Sequence, residues 1–272
     1  MNRIEKRFAE LSSKKEGALI AYVMGGDPSP RLTPDVVRWL VEGGADIVEV
    51  GIPFSDPIAD GPSIQAAGVR ALRAGATPAS VLESVRAVRR DSDVPLAAMT
   101  YYNIIYSRGV PDFLDAAAAA GLDGLIVPDL PVEEASQLAE AARGRGMDLV
   151  QLAAPTTSDA RFRAIVDCSA GFLYLVSLMG VTGARGSLGE GALELVARAR
   201  RHTGGRLPLA VGFGISKPEH VRAVTGAGAD GVVVGSAIVD VIAGSLDDRP
   251  AMARGVSSLV SSLKAETGPY RR

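Results

Sequence analysis

Residues 44–65 read GADIVEVGIPFSDPIADGPSIQ, and this stretch holds a turn, a strand and the loop at the strand's far end. Gly44 can close a helix in the left-handed conformation, and Asp46 then stands at a strand entrance. Ile47–Gly51 is a short apolar run interrupted by one acid, Glu49. The same turn recurs at Gly121-Leu122-Asp123, Gly146-Met147-Asp148 and Gly228-Ala229-Asp230. Apolar runs predict strands near Ala18–Val23, Ile47–Gly51, Leu96–Tyr101, Gly124–Val127, Leu149–Leu152, Phe172–Val176, Leu209–Val211 and Val232–Val234. Their continuous hydrophobicity is that of parallel strands covered on both faces. Segments of helical period lie between them. Thr77–Arg90 has Thr77 as N-cap, Pro78 at the first helical position and an apolar stripe of Val81, Leu82, Val85 and Val88. Pro131–Arg145 places Pro131 at the first position and Gly146 just past the end. An extra helix at Asn2–Leu11 turns Ile4, Phe8 and Leu11 to one side.

Eight strands alternating with helices favour a closed (β/α)₈ TIM barrel, an α/β fold of about 250 residues. It is expected as a single domain over residues 1–272 with the extra N-terminal helix in front. An open doubly wound sheet is the alternative. It would carry G-x-G-x-x-G after the first strand, where this chain has Gly25-Gly26-Asp27-Pro28.

Composition narrows the function. Hydrophobic residues are 47% and charged residues 22%, which excludes a disordered chain. A net charge of −2 offers no general attraction for nucleic acid or an anionic membrane. Two histidines and one cysteine, Cys168, leave no Cys- or His-rich metal site, so no metal is expected. With no signal peptide and no apolar stretch of about 20 residues, a soluble cytoplasmic protein is expected.

Two constellations carry chemistry. Glu49 shares a strand face with Ile47 and Gly51, opposite Val48 and Val50, and one of these faces must look into the barrel. An acid inside the barrel near a strand's C-terminal end lies where barrel enzymes keep catalytic groups, and burial would raise its pKa. The following loop adds Asp60 over the mouth, and Asp56, for which a plain surface turn and an interface role read equally. The second constellation is glycine-rich: Gly180–Gly183 after the sixth strand, Gly212–Ser216 after the seventh, Gly235-Ser236 after the eighth. Backbone N–H groups approach a phosphate closely where no Cβ intervenes, and a helix N-terminus favours the anion. His202, His220 and the Arg89-Arg90 pair read as solvated helix positions.

VEVGIPFSDPIADGPSIQ, with GDPSP at 26–30, TYYN at 100–103, VPDLPVEE at 127–134, GVTGAR at 180–185, GFGIS at 212–216 and VGSAIV at 234–239, resembles the tryptophan synthase alpha subunit family along essentially the whole chain. Met24, where many members have Thr, and Ile104, where Pro is common, are small departures at the pocket rim. The resemblance implies cleavage of indole-3-glycerol phosphate to indole and glyceraldehyde 3-phosphate, with Glu49 as general acid and base and Asp60 stabilising the indole cation. It implies phosphate binding by Gly183, Gly214, Gly235 and Ser236. The implied pocket wall takes Tyr22, Ile64, Thr100, Tyr101 and Ile126 from the first half of the chain. From the second half it takes Asp129, Tyr174, Phe213 and Val233, with Thr182 on the loop at Gly180–Arg185. It also implies a beta subunit in an alpha2-beta2 complex; pyridoxal phosphate belongs to that partner, and this chain needs no cofactor. Two other readings stay open. A related phosphate-binding barrel would share the glycines, although a synthase of that group would call for a strand lysine that is missing here. A non-catalytic activator would use only the Pro53–Asp60 loop.

Overall fold

The computed structural model describes residues 1–176, 190–212 and 214–268. Its strands are β1 (Ala18–Met24), β2 (Ile47–Gly51), β3 (Leu96–Met99), β4 (Gly124–Ile126), β5 (Asp148–Val150), β6 (Leu152–Ala153), β7 (Leu173–Val176), β8 (Leu209–Gly212) and β9 (Gly231–Val234). All pairings are parallel, in the order β5-β4-β3-β2-β1-β9-β8-β7-β6. The two ends of that order, β5 and β6, are consecutive in the chain and separated by Gln151 alone. β5 pairs with β4 and β6 with β7, so the interrupted strand faces a neighbour on each side and the sheet returns on itself. The expected eight staves are present, and the fifth is broken at one residue. The chain is a TIM barrel.

The recurring glycines do what their sequence position requires. Gly44, Gly121, Gly146 and Gly228 have φ of 99°, 93°, 75° and 92°, values that L side chains rarely adopt. Three of the following aspartates accept the backbone N–H of the preceding strand: Asp46 from Leu19 (2.8 Å), Asp123 from Leu96 (2.9 Å) and Asp230 from Leu209 (2.9 Å). Each is also paired with a cation, Asp46 with Lys264, Asp123 with Arg89 and Asp230 with Arg200. Arg89 is therefore not a solvated charge: it spans Asp123 and the carbonyls of Gly121 and Val94. Asp148 breaks the pattern, with a buried Oδ2 that has no partner among the described residues. Burial pushes its carboxyl up to about 6.

Helix boundaries differ slightly from expectation. The helix expected from Pro131 runs Val132–Arg143, with Pro131 as its N-cap and Gly144, not Gly146, as its C-cap. Proline's extended φ and ψ at 131 put it just outside the helix, and the left-handed Gly146 closes the following turn. At Pro78–Arg89 the capping is as expected: Thr77 accepts the N–H of Ser80.

Two apolar cores follow from strand alternation. Leu19, Ala21, Val23, Val48 and Val50 face outward into the helix layer. Ala18, Ile20, Ile47, Ala97, Ile126 and Val233 face inward. Helix Arg3–Lys14 closes the end of the barrel where the strands begin, with Ile4, Phe8 and Leu11 packed into the inner core. Phe8 lies against Phe172 with ring centroids 5.7 Å apart. The opposite end is left for the strand-end loops. Among the described residues no helix is long and apolar enough to cross a membrane.

Candidate active site

Because Ile47 points inward, Glu49 and Gly51 do too, which settles the face that the sequence left open. Glu49 is 1% exposed, and neither carboxylate oxygen has a hydrogen-bond partner among the described residues. An ionised carboxylate in that position would lack both water and donors, so burial, with the charge of Asp60 second, pushes Glu49 up to about 8. Asp60, in the loop between β2 and helix Pro62–Arg73, is half-buried. Burial pushes it up to about 6, with the Tyr101 hydroxyl acting in the other direction as a hydrogen-bond donor. The pair is therefore split: Glu49 keeps its proton to a higher pH than Asp60 does.

Both acids line a cavity of about 380 Å³ at the C-terminal ends of the strands. Tyr22, Ile64, Tyr174 and Val233 line its wall, and Gly214, Gly235 and Ser236 line its far side. Gly235 is the N-cap of helix Ser236–Ala243, so the first N–H groups of that helix, which have no partner within it, face the cavity end. Gly214 holds φ of 77°. No lysine or arginine is among the described lining residues. Two larger clefts, of about 660 and 570 Å³, lie beside the N-terminal helix at the other end of the barrel and contain none of the predicted site residues.

Four predicted residues stand just outside the lining. The Tyr101 hydroxyl accepts the N–H of Ala59 (3.0 Å), and its ring stacks on Phe54 (centroids 5.1 Å apart), so it steadies the loop beside Asp60. Ile126 belongs to the inner core under the cavity. Thr100 is buried, and its Oγ1 has no partner among the described residues. Asp129 accepts the N–H of Tyr102 with both oxygens (2.9 and 3.2 Å) at the start of helix Tyr102–Arg108. Thr182, Gly183 and Phe213, with the loop at Gly180–Arg185, lie outside the described residues.

The structure adds Met99, Ile215 and Asp240 to the lining. Met99 ends β3, a strand the sequence ran two residues too long, and Asp240 lies one helical turn beyond Ser236. His220 departs from the sequence reading: it is 4% exposed, and its Nδ1 accepts the N–H of Ser216 (3.4 Å), at the end of the glycine loop. Its position as third residue of helix Pro218–Gly226 turns it back under that loop. Among the described residues no three His, Cys, Asp or Glu side chains converge as a metal site.

The sequence model of the tryptophan synthase alpha chain family matches residues 8–267. A tryptophan synthase alpha chain of Methanothermobacter thermautotrophicus is 46% identical over 262 residues, 96% of each chain. One from Methanosarcina acetivorans is 52% identical over 240 residues, 88% of this chain and 86% of its own. Among solved structures, a tryptophan synthase alpha chain from Legionella pneumophila superposes with a TM-score of 0.89 at 35% identity, over 98% of this chain and 97% of its own. A chain from the a2b2 complex of Pyrococcus furiosus tryptophan synthase gives 0.86 at 44% identity, over 92% of this chain and 98% of its own.

Proposed function

The chain belongs to the tryptophan synthase alpha chain family, and on that premise we propose that Glu49 and Asp60 carry the family's reaction, the cleavage of indole-3-glycerol phosphate to indole and glyceraldehyde 3-phosphate. The observation that carries this reading is a buried, unpartnered acid on an apolar wall, across one cavity from a glycine-lined helix N-terminus.

The reaction is a retro-aldol cleavage, and the indole ring is its electron sink. Glu49 donates its proton to C3 of the ring, and positive charge develops across the ring to its nitrogen. The carboxylate so formed takes the proton of the glycerol hydroxyl. The carbon–carbon bond breaks, its electron pair returns to the ring, and an aldehyde is left. One group thus serves two transfers and ends as it began. Ionised Asp60 accepts the ring N–H and stabilises the cation where it forms. Tyr22, Ile64, Tyr174 and Val233 shape the apolar slot for the ring, while Gly214, Gly235 and Ser236 receive the phosphate through backbone N–H groups. Holding the phosphate fixes the remote end of the substrate and aligns the bond that breaks. Thr182, Gly183 and Phe213 join this set on the family pattern alone.

A partner follows from the family: a beta subunit in an alpha2-beta2 assembly, which takes the indole and holds the pyridoxal phosphate. The chain acts in the cytoplasm as one catalytic unit. Indole release from indole-3-glycerol phosphate, measured with and without a beta subunit, tests the reading. Turnover by the chain alone, raised by the partner, supports it; no turnover in either case contradicts it.

A further inference from the structure

Arg70 lies two turns into helix Pro62–Arg73, away from the cavity lining, and makes a two-point clamp on Asp27 in the loop after β1. Its Nε donates to one Asp27 oxygen (2.8 Å) and its Nη2 to the other (2.7 Å). The Asp27 side chain is 1% exposed, so this is a directional and well-shielded pair. Asp240, on helix Ser236–Ala243, also attracts the same guanidinium.

The apolar contacts of this helix come mostly from small side chains. They are made by Ile64, Ala67 and Ala71, with Ala76 just past the helix's end, packed against Met24, Tyr22 and Val239. A Cβ at Gly26 would collide with Ala76 and come within 3.3 Å of Ala71, so backbone approaches backbone closely there. The loop end of the clamp is firm: Gly26 donates to Thr33 Oγ1 (2.8 Å) and Gly25 to the carbonyl of Gly51 (2.8 Å). Asp60 is joined to the helix's first turn, where Gln65 Nε2 donates to the Asp60 carbonyl (2.9 Å). Arg70 sits roughly 12 Å along the axis from Pro62, so a tilt or slide there reaches Asp60 through a rigid element.

We propose that Arg70 is a positioning residue for the cleavage reaction: clamped on Asp27, it sets the register of helix Pro62–Arg73 and so the place of the Asp60 carboxylate over the cavity. This inference rests on the role assigned to Asp60 above. Arg70→Met alone leaves the buried Asp27 charge unpaired and destabilises the fold. The double variant Asp27→Asn/Arg70→Met removes the charge and the clamp together. It separates stability from positioning.

The experiment compares wild type, Arg70→Met, the double variant and Asp60→Asn by Tm and by indole-release kinetics, normalised to the folded fraction by near-UV circular dichroism. The expected result is that the double variant has a higher Tm than Arg70→Met while its kcat stays about 10–100-fold below wild type. Its KM should stay within about threefold, because neither Arg70 nor Asp27 lines the cavity. Wild-type kcat in the double variant, or a loss confined to KM, would overturn the proposal while an inactive Asp60→Asn left the catalytic reading intact. A fully active Asp60→Asn would instead remove the catalytic reading itself.

Discussion

Tyr22 and Glu49 stand opposite each other in register on β1 and β2, both turned into the barrel. Tyr22 nevertheless gives Glu49 no hydrogen bond. Its hydroxyl reaches along the strand to the thioether of Met24 (3.8 Å), into the space left by the missing side chain of Gly51. Glu49 is thus walled by an aromatic ring and left without a donor, the environment that keeps a carboxyl protonated at neutral pH. The chemistry assigned to it depends on this arrangement.

Asp60→Asn should lower kcat far more than it changes KM. The carboxylate's charge matters most when the ring becomes cationic, and a neutral amide supplies little of that stabilisation. Removing one such stabilising group costs roughly 10²–10³-fold in kcat. Steady-state indole release checks this: an unchanged kcat with a raised KM would make Asp60 a binding residue only.

Gly235→Val should act on the phosphate end. A Cβ there comes within 3.3 Å of Tyr22 Cβ and Cδ1, and the valine methyls would occupy the approach to the helix N-terminus. A rise of about tenfold or more in KM, with a smaller loss in kcat, is the expected pattern for lost anchoring. The test is a comparison of KM for substrate and of inhibition by inorganic phosphate, both of which should weaken together.

Much of this was legible in the sequence, for definable reasons. Each Gly-x-Asp turn reports a left-handed glycine and a strand-entrance acid, a local requirement that only a few residue types meet. Glu49 is visible because one acid in an apolar strand has few bland explanations. The break at Gln151 was not legible, since a continuous apolar run does not disclose where pairing passes from one neighbour to the next. Neither was the burial of Arg89 and His220. Each looks like a surface residue in a helical period, but Arg89 is drawn inward by Asp123, 34 residues along the chain, and His220 by the adjoining glycine loop at Ser216. Asp27–Arg70 spans 43 residues and leaves no local signal.

The two acids also set a pH dependence. Indole formation needs Asp60 ionised and Glu49 protonated, so kcat/KM should rise through about 6 and fall through about 8. Stability should respond over a wider range, from 4.5 to about 8. The folded chain holds the Glu49 proton up to about 8, against 4.5 for a free carboxyl, so the contribution of Glu49 to stability is full below 4.5 and is lost as pH climbs through 8. Glu49→Gln removes the share of that slope that Glu49 supplies, leaving the smaller ones of Asp60 and Asp148. Urea unfolding at pH 5 and pH 8.5 should show the variant gaining on wild type by on the order of 3–5 kcal/mol. An equal change in both proteins would contradict the burial of an ionisable Glu49.

The central claim is that Glu49 transfers the protons of the cleavage, and the most direct measurement is indole release from indole-3-glycerol phosphate by Glu49→Gln beside wild type. Glutamine keeps the size and shape of the side chain but cannot exchange the proton. The account predicts a folded variant whose turnover is lower by about 10²–10⁴-fold or more, since one group serves two transfers. A folded Glu49→Gln retaining more than roughly a tenth of wild-type turnover, far above the loss expected of a missing acid–base group, would contradict it.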